Sequence, residues 1–139
     1  MASAFATFTE VNSVILVRIK VTTPLTEETI ETFLADLAAA TSKRRGDDDK
    51  FAMVLDARGV EKLPLGGGIM LARKISAFMT DNQARFQQCA RATAIIVSSA
   101  LLSGVMSAAF KIKKPSSPVD TFRDVTTAKA FLEKHGAHF

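Results

Sequence analysis

Asp56, Arg58, Cys89, Ser98, Ser99, His135 and His138 are the side chains with chemistry to offer, and their spacing decides which chemistry is open to them. An acyl or phosphoryl transfer would use Asp56, Ser98 or Cys89 with a base beside it to draw off or hold a proton. Both histidines fall in the last five residues, at no nucleophile or metal-ligand spacing from the others. Cys89 reads as a small apolar residue near a helix end. Asp47, Asp48 and Asp49 are adjacent, whereas a calcium loop needs alternating oxygen ligands, so they read as a solvated loop. The glycines after Leu65 lack the Lys-Ser/Thr of a phosphate-binding loop. The expectation is no enzyme, no cofactor and no metal. What is left is binding, for which Asp56, Arg58, Ser98 and Ser99 are the polar candidates.

The elements that must position these residues follow from hydropathy. Phe51-Ala52-Met53-Val54-Leu55 is apolar without alternation, as expected of a strand covered on both faces. Breakers flank it, Gly46 to Asp49 before and Asp56, Arg58 and Gly59 after, so Asp56 and Arg58 stand at the exit of a buried strand. Pro64 fixes its own φ and pushes Leu63 towards an extended conformation. Gly66, Gly67 and Gly68 permit positive φ or close approach, and Leu63 to Gly68 therefore reads as a bend and glycine turn. A helix follows with Ile69, Leu71, Ala72, Ile75, Phe78 and Met79 on one face and Arg73, Lys74 and Ser76 between them. Asp81 to Gln83 either interrupt it or lie on its exposed face, and Phe86 continues the stripe. Ala92 to Val97 is a second buried strand, which puts Ser98 and Ser99 at its exit. The next helix runs from about Ala100 to Lys111, where Lys111, Lys113 and Lys114 suit a helix C-terminus.

Upstream, Phe5 to Thr9 and Val14 to Val21 read as paired strands joined at Asn12-Ser13, the first of them an edge. Thr26 is the N-cap of a helix reaching about Lys43, with Ile30, Phe33, Leu34, Leu37 and Ala38 as its stripe and Gly46 as its stop. Downstream, Val119 to Phe122 is a short last strand, and Asp124 caps a terminal helix with Val125, Ala128, Phe131 and Leu132 inward, ending at Gly136. The fold class is α/β: a single domain over residues 1–139, with a mixed, mostly parallel sheet of about five strands, about four helices and an antiparallel start.

Composition narrows the function classes. With 139 residues and 47% apolar content there is material for one core. Apolar runs are broken by charge or glycine before the roughly 18 residues of a membrane span. No basic residue precedes Arg18, so neither a secretory signal nor a transit peptide is expected. The single cysteine excludes an internal disulfide and fits a reducing, cytoplasmic compartment. A net charge of +4 suits solubility and weak attraction to anions. Nucleic acid is not an expected partner, because Tyr and Trp are absent and the phenylalanines mostly sit in apolar patterns.

Over most of the chain the element order resembles the STAS domain, the family of anti-sigma-factor antagonists and of the cytosolic parts of sulphate transporters. The local resemblance is Val54-Leu55-Asp56-Ala57-Arg58-Gly59-Val60, then a turn and the helix Gly67-Gly68-Ile69-Met70-Leu71-Ala72. In the antagonists a strand ending in a hydrophobic-Asp pair leads to an Asp-Ser-Ser/Thr-Gly turn at a helix start, and the phosphorylated serine lies in that turn. On that pattern Pro64 stands at the aspartate, Leu65 at the phosphorylated serine, Gly66 at the next hydroxyl, and Gly67 matches the glycine. The acceptor hydroxyl is missing, and with it the change of about two charge units that a phosphate makes. The resemblance thus implies a STAS-like fold and a protein-interaction role without the phosphoserine switch.

Two functions are expected on these grounds. The first is a non-enzymatic interaction or assembly module that docks another protein or a second copy at Leu65, flanked by Pro64 and Gly66 and rimmed by Arg58, Arg73 and Lys74. Folding of Leu65 back over the core is the competing reading. The second is a small-ligand carrier or sensor for an anion, nucleotide or lipid. Ligands of open α/β sheets gather beyond the C-terminal strand ends, here supplied with Asp56, Arg58, Ser98 and Ser99 and with free amides at the following helix starts.

Overall fold

The computed structural model describes residues 6–19, 26–42, 50–58, 65–97, 100, 103–104, 107 and 117–139, with backbone alone at 42, 65–69, 72, 85 and 88. These residues form strands β1 (Ala6–Val11), β2 (Val14–Ile19), β3 (Phe51–Asp56), β4 (Ala90–Ile96) and β5 (Val119–Phe122). The helices among them are α1 (Glu27–Ser42), α2 (Leu65–Asp81), α3 (Gln83–Cys89) and α4 (Val125–Lys134). One sheet contains all five strands in the order β1-β2-β3-β4-β5. The β1–β2 pair is antiparallel and the other three pairs are parallel. The class is therefore α/β, with the mixed, mostly parallel sheet and antiparallel start expected from the sequence.

Local chemistry explains the punctuation. Asn12 (φ 52°) and Ser13 (φ 64°) are both left-handed, which is the two-residue hairpin turn whose twist matches that of its strands. At α1, Thr26 Oγ1 accepts from the Thr29 amide at 3.2 Å while Thr29 Oγ1 accepts from the Thr26 amide at 2.9 Å. This is a capping box with threonine in the reciprocal position, and Glu27 and Glu28 add charge that suits the helix start. At α4, Asp124 Oδ1 accepts from the Thr127 amide at 2.8 Å. That helix ends in a Schellman arrangement, with Ala137 N–H donating to Leu132 O, Gly136 N–H to Glu133 O, and Gly136 at φ 81°.

Three expectations change. The glycine run is not a turn: α2 begins at Leu65, so Gly66, Gly67 and Gly68 form its first turn. Glycine costs a helix about 1 kcal/mol per residue relative to alanine, and burial of Leu71, Ile75, Phe78 and Met79 further along offsets that local penalty. Ser76, read among the polar residues of this helix, is buried. Val125, read as inward, is 40% exposed, because the first turn of α4 stands beside the uncovered part of the sheet. Asn82 does interrupt the helix: it separates α2 from α3, and its Nδ2 donates to Phe78 O at 2.8 Å. Of the helix expected from about Ala100 to Lys111, residues 100, 103, 104 and 107 are helical. Its remainder, Lys113, Lys114 and the Asp47 to Asp49 run lie outside the described residues.

Alternation along the strands gives the sheet two faces. On the first, Ile15, Val17, Phe51, Met53, Leu55 and Ile95 pack with Ile30, Phe33 and Leu37 of α1, Leu71, Ile75 and Phe78 of α2, and Phe86 of α3. On the second, Val14, Ala52, Val54, Ala92, Ala94 and Ile96 pack with Ala128 and Leu132 of α4 and with Ala137.

Candidate functional site

The second face carries the site. Register places one row of side chains across it: Thr7 opposite Arg18, Arg18 opposite Asp56, Asp56 opposite Ile96, and Ile96 opposite Phe122. The next row inward runs Thr9, Leu16, Val54, Ala94. Helix α4 covers the β4 and β5 end of these rows, where the alanines let it approach. Val14, Ala52 and Val54 are buried in the cluster with α4, whereas over β1 and the C-terminal part of β2 no described helix is packed on this face, and Thr7, Thr9 and Arg18 are exposed. The result is an open cavity of about 350 Å³ at the C-terminal ends of β2 and β3. Leu16, Val54 and Ile96 floor it, Thr7 and Thr9 line its β1 side, and Val125 and Phe139 form the opposite wall. The Phe139 ring has Lys129 Nζ 5.6 Å above its centroid.

The charged end of the cavity is a three-residue cluster. Arg58 Nε donates to Asp56 Oδ1 at 2.9 Å, Arg58 Nη2 to Oδ2 at 2.7 Å, and the Arg58 amide to Oδ1 at 3.2 Å. That is a full guanidinium fork, the strong geometry for a carboxylate. Arg18 is held far more loosely, with Nε 3.8 Å from Asp56 Oδ2 and its side chain 63% exposed. The Asp56 side chain is only 14% exposed. Burial pushes its carboxyl up, but the Arg58 hydrogen bonds and the charges of Arg58 and Arg18 outweigh that and hold it below the usual carboxylate range. The Asp56 hydrogen bond raises Arg58 in turn. Asp56 is therefore an anion at neutral pH, poorly matched to proton transfer, for which a value near the working pH is needed.

Of the residues singled out from sequence, Asp56 and Arg58 are brought together as expected. Leu65, Gly66 and Gly67 lie in the first turn of α2, while Pro64, Ser98 and Ser99 are outside the described residues. Of the expected rim residues, Lys74 pairs with Glu31 (3.2 Å) and Glu27 (3.9 Å) on α1 and Arg58 with Asp56 on the sheet, while the Leu65 side chain they were expected to surround is outside the described ones. Cys89 is buried, and the His135 ring packs 4.8 Å from that of Phe131. Among the described residues no group of three or more His, Cys, Asp or Glu could hold a metal ion, and no helix is long and apolar enough to cross a membrane.

Sequence reasoning missed Arg18. The signal was present, since a charge alternating with Val17 and Ile19 points away from the first face, but only the parallel register of β2 on β3 puts it beside Asp56. Thr7, Thr9 and Phe139 carried no signal of their own.

The chain matches no protein-family model, no curated protein and no solved structure.

Proposed function

We propose that this chain is a non-catalytic recognition module of STAS-like architecture whose working surface is the open half of the second sheet face. The element order, with its antiparallel start and parallel remainder, supports the STAS-like part. The observation that carries the recognition part is the cluster of two guanidinium groups on one carboxylate, set at the mouth of an apolar cavity at the strand ends. Arg58 is shared between Asp56 and, at longer range, Asp124, so the cation left with uncommitted donors is Arg18; that suits a singly charged anionic group, and a clamped Asp56 suits positioning better than proton transfer. The buried single Cys89 fits a reducing, cytoplasmic setting.

Acetate, a monoanion, is a sufficient first probe. Its titration, followed by amide NMR, is expected to move the signals of Arg18, Asp56 and Arg58 saturably, and the response is expected to fall in Arg18→Ala. An identical response in that variant, or none at tens of millimolar, overturns the assignment of the surface.

Docking of a protein or a second copy is the other reading, and one observation favours it. The exposed large apolar side chains among the described residues, Val11 (39%) and Val125 (40%), are associated with this same face. Light scattering separates the two: a concentration-dependent dimer abolished by Val11→Asp supports docking, and a monomer at all concentrations removes the second copy.

A further inference from the structure

We infer that the cavity on the second face takes a small amphipathic carboxylate, its head at Arg18 and its apolar tail along Leu16 and Val54 towards Phe139. The inference rests on the reading of this face as a recognition surface and names what it recognises.

Three observations fix the class. First, the donors are unequally committed. Arg58 spends its fork on Asp56 at 2.9 and 2.7 Å, whereas Arg18 approaches the same carboxylate no closer than 3.8 Å and is mostly exposed. A guanidinium has five N–H donors, so Arg18 retains a free edge for another carboxylate, and Thr7, its cross-strand neighbour, brings a hydroxyl alongside. Second, Asp56 limits the charge of the guest. A head placed at Arg18 also lies near the Asp56 carboxylate, so one negative charge is favoured and a second is repelled. A phosphate monoester, largely dianionic above pH about 6, is disfavoured, and a nucleotide polyanion more so. Third, everything beyond the charged end is apolar apart from Thr7 and Thr9, and the volume of about 350 Å³ is at the small end of the roughly 300–1,000 Å³ typical of ligand pockets. A short hydrocarbon tail fits that floor.

The test is a calorimetric series with acetate, hexanoate and octanoate, alongside octyl phosphate and octyltrimethylammonium at pH 8. Affinity is expected to rise from acetate to octanoate by roughly fourfold for each methylene that leaves water. Octyl phosphate is expected to bind more weakly than octanoate, and the ammonium not at all. Arg18→Ala should weaken octanoate by about tenfold, the lower end for a hydrogen bond to a charged group. Thr9→Phe, at an exposed position and so compatible with folding, fills the cavity and should abolish the gain from the tail while leaving the acetate response. Octanoate binding no tighter than acetate overturns the amphiphile and leaves the recognition surface standing. Octyl phosphate binding tighter than octanoate overturns the single-charge argument, and the ammonium binding as tightly overturns the anion. No response to octanoate or acetate overturns both readings together.

Discussion

The two faces of the sheet are built from different residues, and the difference separates stability from function. The first face meets α1, α2 and α3 with large side chains, and Phe86 stands edge-on to both Phe51 (5.6 Å, 87°) and Phe78 (6.0 Å, 84°). The second meets α4 with Ala52, Ala92 and Ala94 against Ala128 and Leu132. Large side chains fill the space between a sheet and several helices. Alanines let one helix come close at one end, and the other end of that face remains open. The first face is thus where the free energy of folding is concentrated, and the second is where the molecule has room to bind.

The largest expected effect tests the first half of that statement. Phe86→Ala removes the ring shared by Phe51 and Phe78 and should cost about 4 kcal/mol in urea unfolding; a loss under about 1 kcal/mol would mean that the face does not carry the core. On the second face the informative change is in the opposite direction. Ala94→Leu, beneath α4 and fully buried, should overpack that contact and cost about 2 kcal/mol, whereas an unchanged midpoint would show that α4 is not seated on the alanines.

Asp56→Asn comes next, at about 1.5 kcal/mol near neutral pH for the loss of a charge-assisted fork. Its pH dependence has a definite sign. The folded-state value of Asp56 lies below its unfolded value, so its contribution is fully present above about pH 3.9 and is lost as pH falls through the lower folded value. The gap between wild type and Asn variant should therefore be flat from neutral pH down to that point and close only in stronger acid. A gap that instead widened on acidification would contradict the assignment. The smallest effect is a gain: Thr93 Oγ1 is buried with no hydrogen-bond partner, so Thr93→Val should stabilise by about 1 kcal/mol, and a loss would reveal a partner for that hydroxyl.

Much of the fold was legible because strong local signals agreed with each other. The uninterrupted Phe51 to Leu55 run, the Asn12-Ser13 hairpin, and the Thr26 and Asp124 caps each fixed an element that the structure contains. The start of α2 was misread because glycine favours turns locally, while the apolar stripe further along, a tertiary effect, draws the helix back to Leu65. The site was half legible. Asp56 and Arg58 are two residues apart and their pairing needs only a strand end, but Arg18 reaches them through inter-strand register and Phe139 through the return of the chain past α4. Side-chain types alone carry neither piece of information.

Methyl NMR with octanoate compares the faces most directly, because neighbours in sequence report on opposite sides of the same strands. Leu16, Val54, Ile96 and Val125 are expected to shift saturably while Leu55 and Ile95, one residue from Val54 and Ile96, stay in place. Shifts spread equally over both sets, or confined to Leu55 and Ile95, would contradict binding at the second face.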